Sequence, residues 1–159
     1  MMQDVYQLLK EKGITLPQPS RKAGIYTRVQ PFGERLLYCS GCGPNRLDGT
    51  KVIGKLGRDL TVEQGQEASY WCMLNLLGNL HDAIGDLNRI KKFVKVLAFV
   101  NCTDDFTMQP TVVNGGSSLL VELFGQDALA ARTAVGTNAL PNGIACEIEM
   151  LVELKDEPR

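Results

Sequence analysis

Apolar residues recur at helical spacing in three parts of the chain. The pattern predicts a short amphipathic helix over residues 2–12, a long helix over residues 61–84 and a third helix over residues 104–124. Thr61 and Gln64 form the sequence signature of a capping box, in which the first residue and the fourth exchange hydrogen bonds at a helix start. The long helix therefore has a well-defined beginning as well as a wide apolar face.

Runs of β-branched and apolar residues predict five strands, over residues 24–30, 34–40, 90–100, 131–137 and 144–154. The first two form a hairpin around Pro31-Phe32-Gly33. The second contains the continuous apolar run Leu36-Leu37-Tyr38-Cys39, which predicts burial on both faces of the strand.

The resulting element order is β-β-α-β-α-β-β, preceded by a helical extension. We assign residues 1–20 to this extension and residues 21–155 to one domain. Helices that alternate with strands in this way predict an α+β sandwich, with two helices packed on one face of the sheet.

Charge and composition narrow the function. The chain has 159 residues, with 17 Lys and Arg against 18 Asp and Glu, so it lacks the basic excess of a protein that binds phosphate backbones. No run of about 18 apolar residues is present to span a membrane. The first residues lack the basic and apolar regions of a signal peptide, which predicts a cytoplasmic protein.

The five cysteines and the single histidine limit the available chemistry. An odd number of cysteines without a signal peptide predicts reduced thiols. Cys39 and Cys42 match a CxxC pattern, but no second ligand pair accompanies them, so small apolar side chains at a strand end are the simpler interpretation. His81 lies in the long helical pattern, where an ordinary helix position is expected. Chemistry must then rest on Arg, Glu, Asp, Tyr, Ser or bound water.

The last strand holds the main functional clue. One of its faces is strictly apolar, whereas the other carries Ala145, Glu147, Glu149, Leu151 and Glu153, a mixture typical of an oligomer interface or a cleft. If residues 131–137 and 144–154 pair as a hairpin, Arg132 and Glu147 share this mixed face. They would form either an ordinary ion pair, or a guanidinium fork for a substrate carboxylate beside a proton-transferring glutamate.

Several of these segments resemble the RidA (YjgF) family. The resemblance rests on Ala131-Arg132-Thr133-Ala134-Val135, Leu140-Pro141 and Glu147-Ile148-Glu149, supported by the apolar strand that ends in Ser40-Gly41 and by Asp105-Phe106. It covers residues 22–154. The loop over residues 57–63 is similar to that of the longer-chain branch of the family.

The resemblance implies a chorismate-mutase-like (RidA) fold with a mixed sheet, a homotrimer, and sites in clefts between subunits. It also implies residue roles. Arg132 would bind the substrate carboxylate, Glu147 would act at the water or proton-transfer position, and Ser40 and Gly41 would line the site. Tyr26 matches the pocket tyrosine if the hairpin turn is one residue longer, and Asn114 is a candidate for the pocket asparagine. Ala134 replaces a cysteine that is frequent in the family.

The hypothesis that follows is a 2-iminobutanoate/2-iminopropanoate deaminase-like hydrolase. It would convert reactive imino and enamine acids, such as 2-aminoacrylate, to 2-oxo acids and ammonia, without a metal or an organic cofactor. Two alternatives stay open. One is a trimer that binds small carboxylates or 2-oxo acids without turnover. The other is an endoribonuclease or translation inhibitor, which the balanced charge disfavours.

Overall fold

A computed structural model describes residues 4–155 and confirms the predicted order of elements. The sheet is mixed, with strand order β1-β2-β5-β3-β4, and only the β3–β4 pair is parallel. Within the described residues, three short 3₁₀ turns join the elements. The helices and strands are α1 Val5–Glu11, β1 Val29–Phe32, β2 Leu36–Cys42, α2 Val62–Ile84, β3 Ile90–Asn101, α3 Gln109–Phe124, β4 Ala131–Thr137 and β5 Cys146–Leu154.

The long helices α2 and α3 pack closely together on one face of the sheet. The predicted capping box starts α2: Thr61 Oγ1 accepts from the Gln64 amide, and the Gln64 side chain accepts from the Thr61 amide. At Gly115 of α3, a Cβ atom would lie only 2.1 Å from the carbonyl oxygen of Gln66 in α2. The absence of a side chain there lets the two helix backbones approach each other.

The short helix α1 joins the same hydrophobic core. Val5 and Leu9 are buried, and the Tyr6 hydroxyl contacts His81 Nδ1 at 2.8 Å. His81 is thus a half-buried helix residue, as expected. The predicted start of this helix, at residues 2 and 3, lies outside the described residues.

Two local predictions about the N-terminal hairpin need correction. β1 begins at Val29 and includes Pro31 and Phe32, so the turn falls at residues 33–35 rather than 31–33. Tyr38 is 45% exposed, so β2 is not buried on both faces. The reason is that α2 and α3 cover one face of the sheet, while Tyr38 lies on the other.

The third helix also begins later than predicted. α3 starts at Gln109 rather than at residue 104, with Pro110 in its first turn, where a missing amide hydrogen breaks no helical hydrogen bond. The preceding residues 103–106 form a turn instead, closed by a bond from the Phe106 amide to the Thr103 carbonyl.

Candidate functional site

Arg132 is held in place by the start of helix α3. Its Nη1 donates to Asn114 Oδ1 and to Ser117 Oγ, both at 3.0 Å, and its Nη2 donates to the Pro110 carbonyl at 3.2 Å. A guanidinium has five N–H donors, so these bonds use at most three of them. Within the described residues, Nε and one N–H of Nη2 have no hydrogen-bond partner. The side chain is oriented and still able to bind an anion.

A cavity of about 310 Å³ lies beside this guanidinium. Its lining is mainly apolar, and the polar groups come from Arg132, Asn114 and Ser117. The lining residues are Val96, Asn114, Ser117, Leu120, Ala128, Leu129, Ala130 and Arg132. Apolar walls around one positive charge suit a small molecule that carries a carboxylate.

Glu147 lies on β5 next to a bulge in β2. Between Cys39 and Cys42, β2 advances three residues while β5 advances two, so β2 contains one extra residue. Gly41 falls within this bulge, and a Cβ atom there would lie 2.3 Å from Glu147 Oε1. The glycine therefore makes the space that the carboxylate occupies.

The environment of Glu147 favours its protonated form. Burial raises the pKa of the Glu147 carboxyl, and the nearby charge of Glu149 raises it further. Glu149 in turn accepts a 2.6 Å hydrogen bond from the Tyr38 hydroxyl. A carboxyl group with a raised pKa accepts a proton more readily than an ordinary glutamate, which suits a role in proton transfer.

Glu147 opens into a second cavity, of about 570 Å³. Tyr26, Ser40 and Gly41 line it, as the predicted site requires. Arg21, Arg28 and Lys51 also line it, together with Asn75 and Asn79 of α2. These cationic residues were not predicted, because they belong to irregular segments where no periodic pattern marks a site.

The predicted pairing of Arg132 with Glu147 is wrong for a single chain. β4 does not pair with β5, because β3 lies between them. Arg132 aligns with Val96 and Met150, which face the helices, whereas Glu147 aligns with Phe99 on the other face of the sheet. The candidate residues therefore form two groups: Arg132 with Asn114, and Glu147 with Ser40, Gly41 and Tyr26.

The two cysteines of the CxxC pattern have the properties of structural thiols. Burial raises the pKa of Cys39 and of Cys42 to about 12, so both stay protonated at neutral pH. Asn79 Nδ2 donates to Cys42 Sγ at 3.1 Å. In residues 4–155, no cluster of three or more His, Cys, Asp or Glu side chains could hold a metal ion. No helix in that range is long and apolar enough to cross a bilayer.

The raised pKa of Glu147 makes a testable prediction about stability. Burial disfavours the ionised form of Glu147 in the folded protein. The protonated carboxyl group therefore contributes stability that is complete below the ordinary glutamate pKa and is lost as the pH rises through the folded-state pKa. We expect Glu147→Gln to increase the free energy of unfolding at neutral pH, and we expect this gain to shrink towards about pH 4. Urea denaturation of both proteins across this pH range measures the effect.

Glu153→Gln is the matched control, because its expected effect has the opposite sign. A hydrogen bond from Lys91 lowers the pKa of Glu153, so ionised Glu153 favours folding at neutral pH and that contribution is lost as the pH falls. A gain for Glu147→Gln that did not depend on pH would contradict the assigned environment of Glu147.

Comparison with known proteins identifies the family. The family model described as "YjgF/chorismate mutase-like, putative endoribonuclease" matches residues 7–154. Protein TCP17 of Trypanosoma cruzi is 40% identical over 149 residues, which cover 93% of this chain and 92% of that protein. The chain therefore belongs to the YjgF (RidA) family, as its C-terminal signature predicts.

Solved structures confirm the fold. A protein of unknown function from Agrobacterium tumefaciens is 35% identical and superposes with a TM-score of 0.87, over 95% of this chain and 92% of the other. A structure from Shewanella oneidensis, described as a "putative endoribonuclease", is 29% identical with a TM-score of 0.90, over 96% of this chain and all of the other. The chorismate-mutase-like architecture is shared over at least 95% of this chain.

Proposed function

We propose that this protein hydrolyses reactive 2-imino acids and their enamine tautomers, such as 2-aminoacrylate, to 2-oxo acids and ammonia. The observation that carries the proposal is Arg132, a guanidinium fixed by Asn114 and Ser117 that keeps unused donors beside a mainly apolar cavity. Such a fork fits a planar carboxylate in two parallel hydrogen bonds. Glu147 supplies a carboxyl group of raised pKa for proton transfer.

We propose that the working site forms between subunits of a homotrimer. Arg132 and Glu147 occupy opposite faces of the sheet, so one small substrate cannot reach both within a chain. The face without α2 and α3 carries exposed Tyr38 and Val135, at 45% and 39%. Packing this face against another copy would bury these apolar groups. Because β4 is an edge strand, Arg132 lies at the rim of the sheet, where a neighbouring subunit can bring its Glu147 beside it.

The reaction needs little beyond orientation and one mobile proton. An enamine is first protonated on carbon to give the imine, whose C=N carbon is electrophilic. Arg132 fixes the carboxylate so that this carbon meets a bound water, an effect of proximity. Glu147 accepts a proton from the water as oxygen bonds to carbon, and then returns it to nitrogen. The carbinolamine then loses its hydroxyl proton to Glu147 as the C=O bond forms and the C–N bond breaks. Glu147 passes that proton to the departing nitrogen, so the 2-oxo acid and ammonia leave.

A coupled assay tests the activity. A pyridoxal-phosphate-dependent dehydratase acting on serine or threonine generates the imine, and the release of 2-oxo acid is followed with and without the purified protein. We expect the protein to accelerate this release. An unchanged rate together with binding of 2-oxobutyrate would favour the non-catalytic carboxylate trimer instead.

The family description and the Shewanella relative give the ribonuclease alternative a specific basis. It is tested on the same preparations by incubation with unstructured RNA. RNA cleavage that disappears in Arg132→Ala, without imine hydrolysis, would replace the deaminase proposal.

A further inference from the structure

The cavity beside Glu147 has an excess of positive charge. Arg21, Arg28 and Lys51 line it, against the single carboxylate of Glu147. Within residues 4–155, the ion pairs join other residues, and none involves these three cations. A concave site with three unpaired cations and one carboxyl group attracts an anion.

Arg28 has a defined position on the wall of this cavity. Its carbonyl accepts from the Ser40 amide at 2.9 Å, which ties the residue to the strand end that also holds Gly41. Its Nη2 donates to the Ser20 carbonyl, and its other donors have no partner in the described part of the chain. Glu147 raises the pKa of Cys42 and Arg28 lowers it, so both charges act on the same thiol.

Lys51 is anchored through the main chain. It pairs with Asn45 in an isolated β-bridge, and the Asn45 carbonyl accepts from Asn75 Nδ2 of α2 at 2.8 Å. The loop that carries Lys51 is thereby attached to the longest helix of the protein. Lys51 lines the cavity from this base, and no carboxylate of residues 4–155 forms an ion pair with it.

We propose that the substrate carries a second carboxylate, and that Arg28 and Lys51 bind it at the end of the site away from Arg132. The preferred substrates are then 2-imino dicarboxylates, such as the imine of glutamate, rather than imines with apolar side chains. The hydrolysis of the imine in this inference rests on the proposed function. The preference for a second carboxylate on the substrate rests on the cationic residues of the cavity. Arg28 and Lys51 act on specificity and take no part in proton transfer.

Binding of the corresponding products tests the preference independently of turnover. 2-Oxoglutarate and 2-oxopentanoate have the same carbon chain and differ in the distal carboxylate. Calorimetry should give a dissociation constant at least about tenfold lower for 2-oxoglutarate, because the extra carboxylate makes charge-assisted hydrogen bonds. The difference between the two dissociation constants should become smaller in Arg28→Gln and in Lys51→Gln. Arg58→Gln removes an exposed cation outside the cavity, so this variant should keep the wild-type difference between the two dissociation constants.

Turnover of the matched imines separates the two proposals. Amino-acid oxidases generate the imines of glutamate and of norvaline. The kcat/KM for the glutamate imine, divided by the kcat/KM for the norvaline imine, should be lower in Arg28→Gln than in the wild-type protein. Hydrolysis of both imines with equal kcat/KM, or equal affinity for the two 2-oxo acids, would overturn the dicarboxylate preference and leave the deaminase activity standing. A tenfold preference for 2-oxoglutarate without hydrolysis of either imine would overturn the activity and support the anion site.

Discussion

Replacing Arg132 by lysine is expected to lower kcat/KM for 2-aminoacrylate hydrolysis by about 100-fold or more. The guanidinium bonds Asn114, Ser117 and the Pro110 carbonyl and still has donors for a substrate carboxylate. A lysine keeps the charge, but its three donors radiate from one nitrogen and cannot serve the helix and the substrate together. Steady-state kinetics of the coupled assay measure the loss.

Arg58→Lys is the control, because Arg58 is an exposed arginine whose partner is the adjacent Asp59. It should keep the wild-type kcat/KM. Circular dichroism should show that both variants are folded. Undiminished activity in Arg132→Lys would contradict a bidentate role for the guanidinium.

A mixing experiment extends this prediction to the arrangement of the subunits. Arg132→Lys and Glu147→Gln chains are unfolded together and refolded as mixed trimers. We expect about a quarter of the wild-type activity to return, because random assortment places an intact Arg132 beside an intact Glu147 at about a quarter of the shared sites. Each variant refolded alone should keep about one hundredth of the wild-type activity or less. Failure of mixing to restore activity, or light scattering that shows a monomer, would contradict a site between subunits.

The second large effect is expected from Gly41→Ala. The added methyl carbon would lie 2.3 Å from Glu147 Oε1 and 3.0 Å from its Cγ, so the carboxylate must move away. Since a positioned general base contributes about 100-fold to 10,000-fold, we expect kcat to fall by about 100-fold. The fold should persist, because the displaced group is the flexible end of a side chain. Single-turnover assays with a pre-generated imine measure the change.

Gly43→Ala is the matched control, two residues further along the chain. A methyl group there meets Ile144 Cδ1 at 2.9 Å instead of Glu147, so kcat should change little. The double variant Gly41→Ala with Glu147→Gln should be no slower than Glu147→Gln alone, because both changes remove the same group. Additive losses would show that Gly41 acts by a route other than Glu147.

Local signals in the sequence are sufficient for the element order and for α2, whereas α3 begins five residues later than its pattern predicts. Thr61 and Gln64 mark the start of α2, and the alternation from Cys146 to Leu154 gives the buried face of β5 correctly. The hairpin boundaries were less accurate, because β1 is a short strand of mostly exposed residues and lacks a periodic pattern. Strand neighbours depend on contacts between distant segments, which one-dimensional patterns do not encode.

The same limitation explains the error over Arg132 and Glu147. In β4 neither side is a continuous apolar stripe, because Thr133 interrupts one side and Arg132 the other, so the sequence does not reveal which side faces the helices. The parallel pairing with β3 decides it, because Arg132 aligns with buried Val96. The residues of the site were predicted one by one from family resemblance, and their separation into two cavities required the structure.

The position of β5 has a consequence for how the protein is made. This strand lies in the centre of the sheet, between β2 and β3, yet its residues 146–154 are translated after the other elements of residues 4–155. While the ribosome is still synthesising the chain, β2 and β3 have unpaired edges that only the last strand can join. The sheet therefore closes only after β5 has been translated, and nascent chains that stall before residue 146 would expose edges open to aggregation.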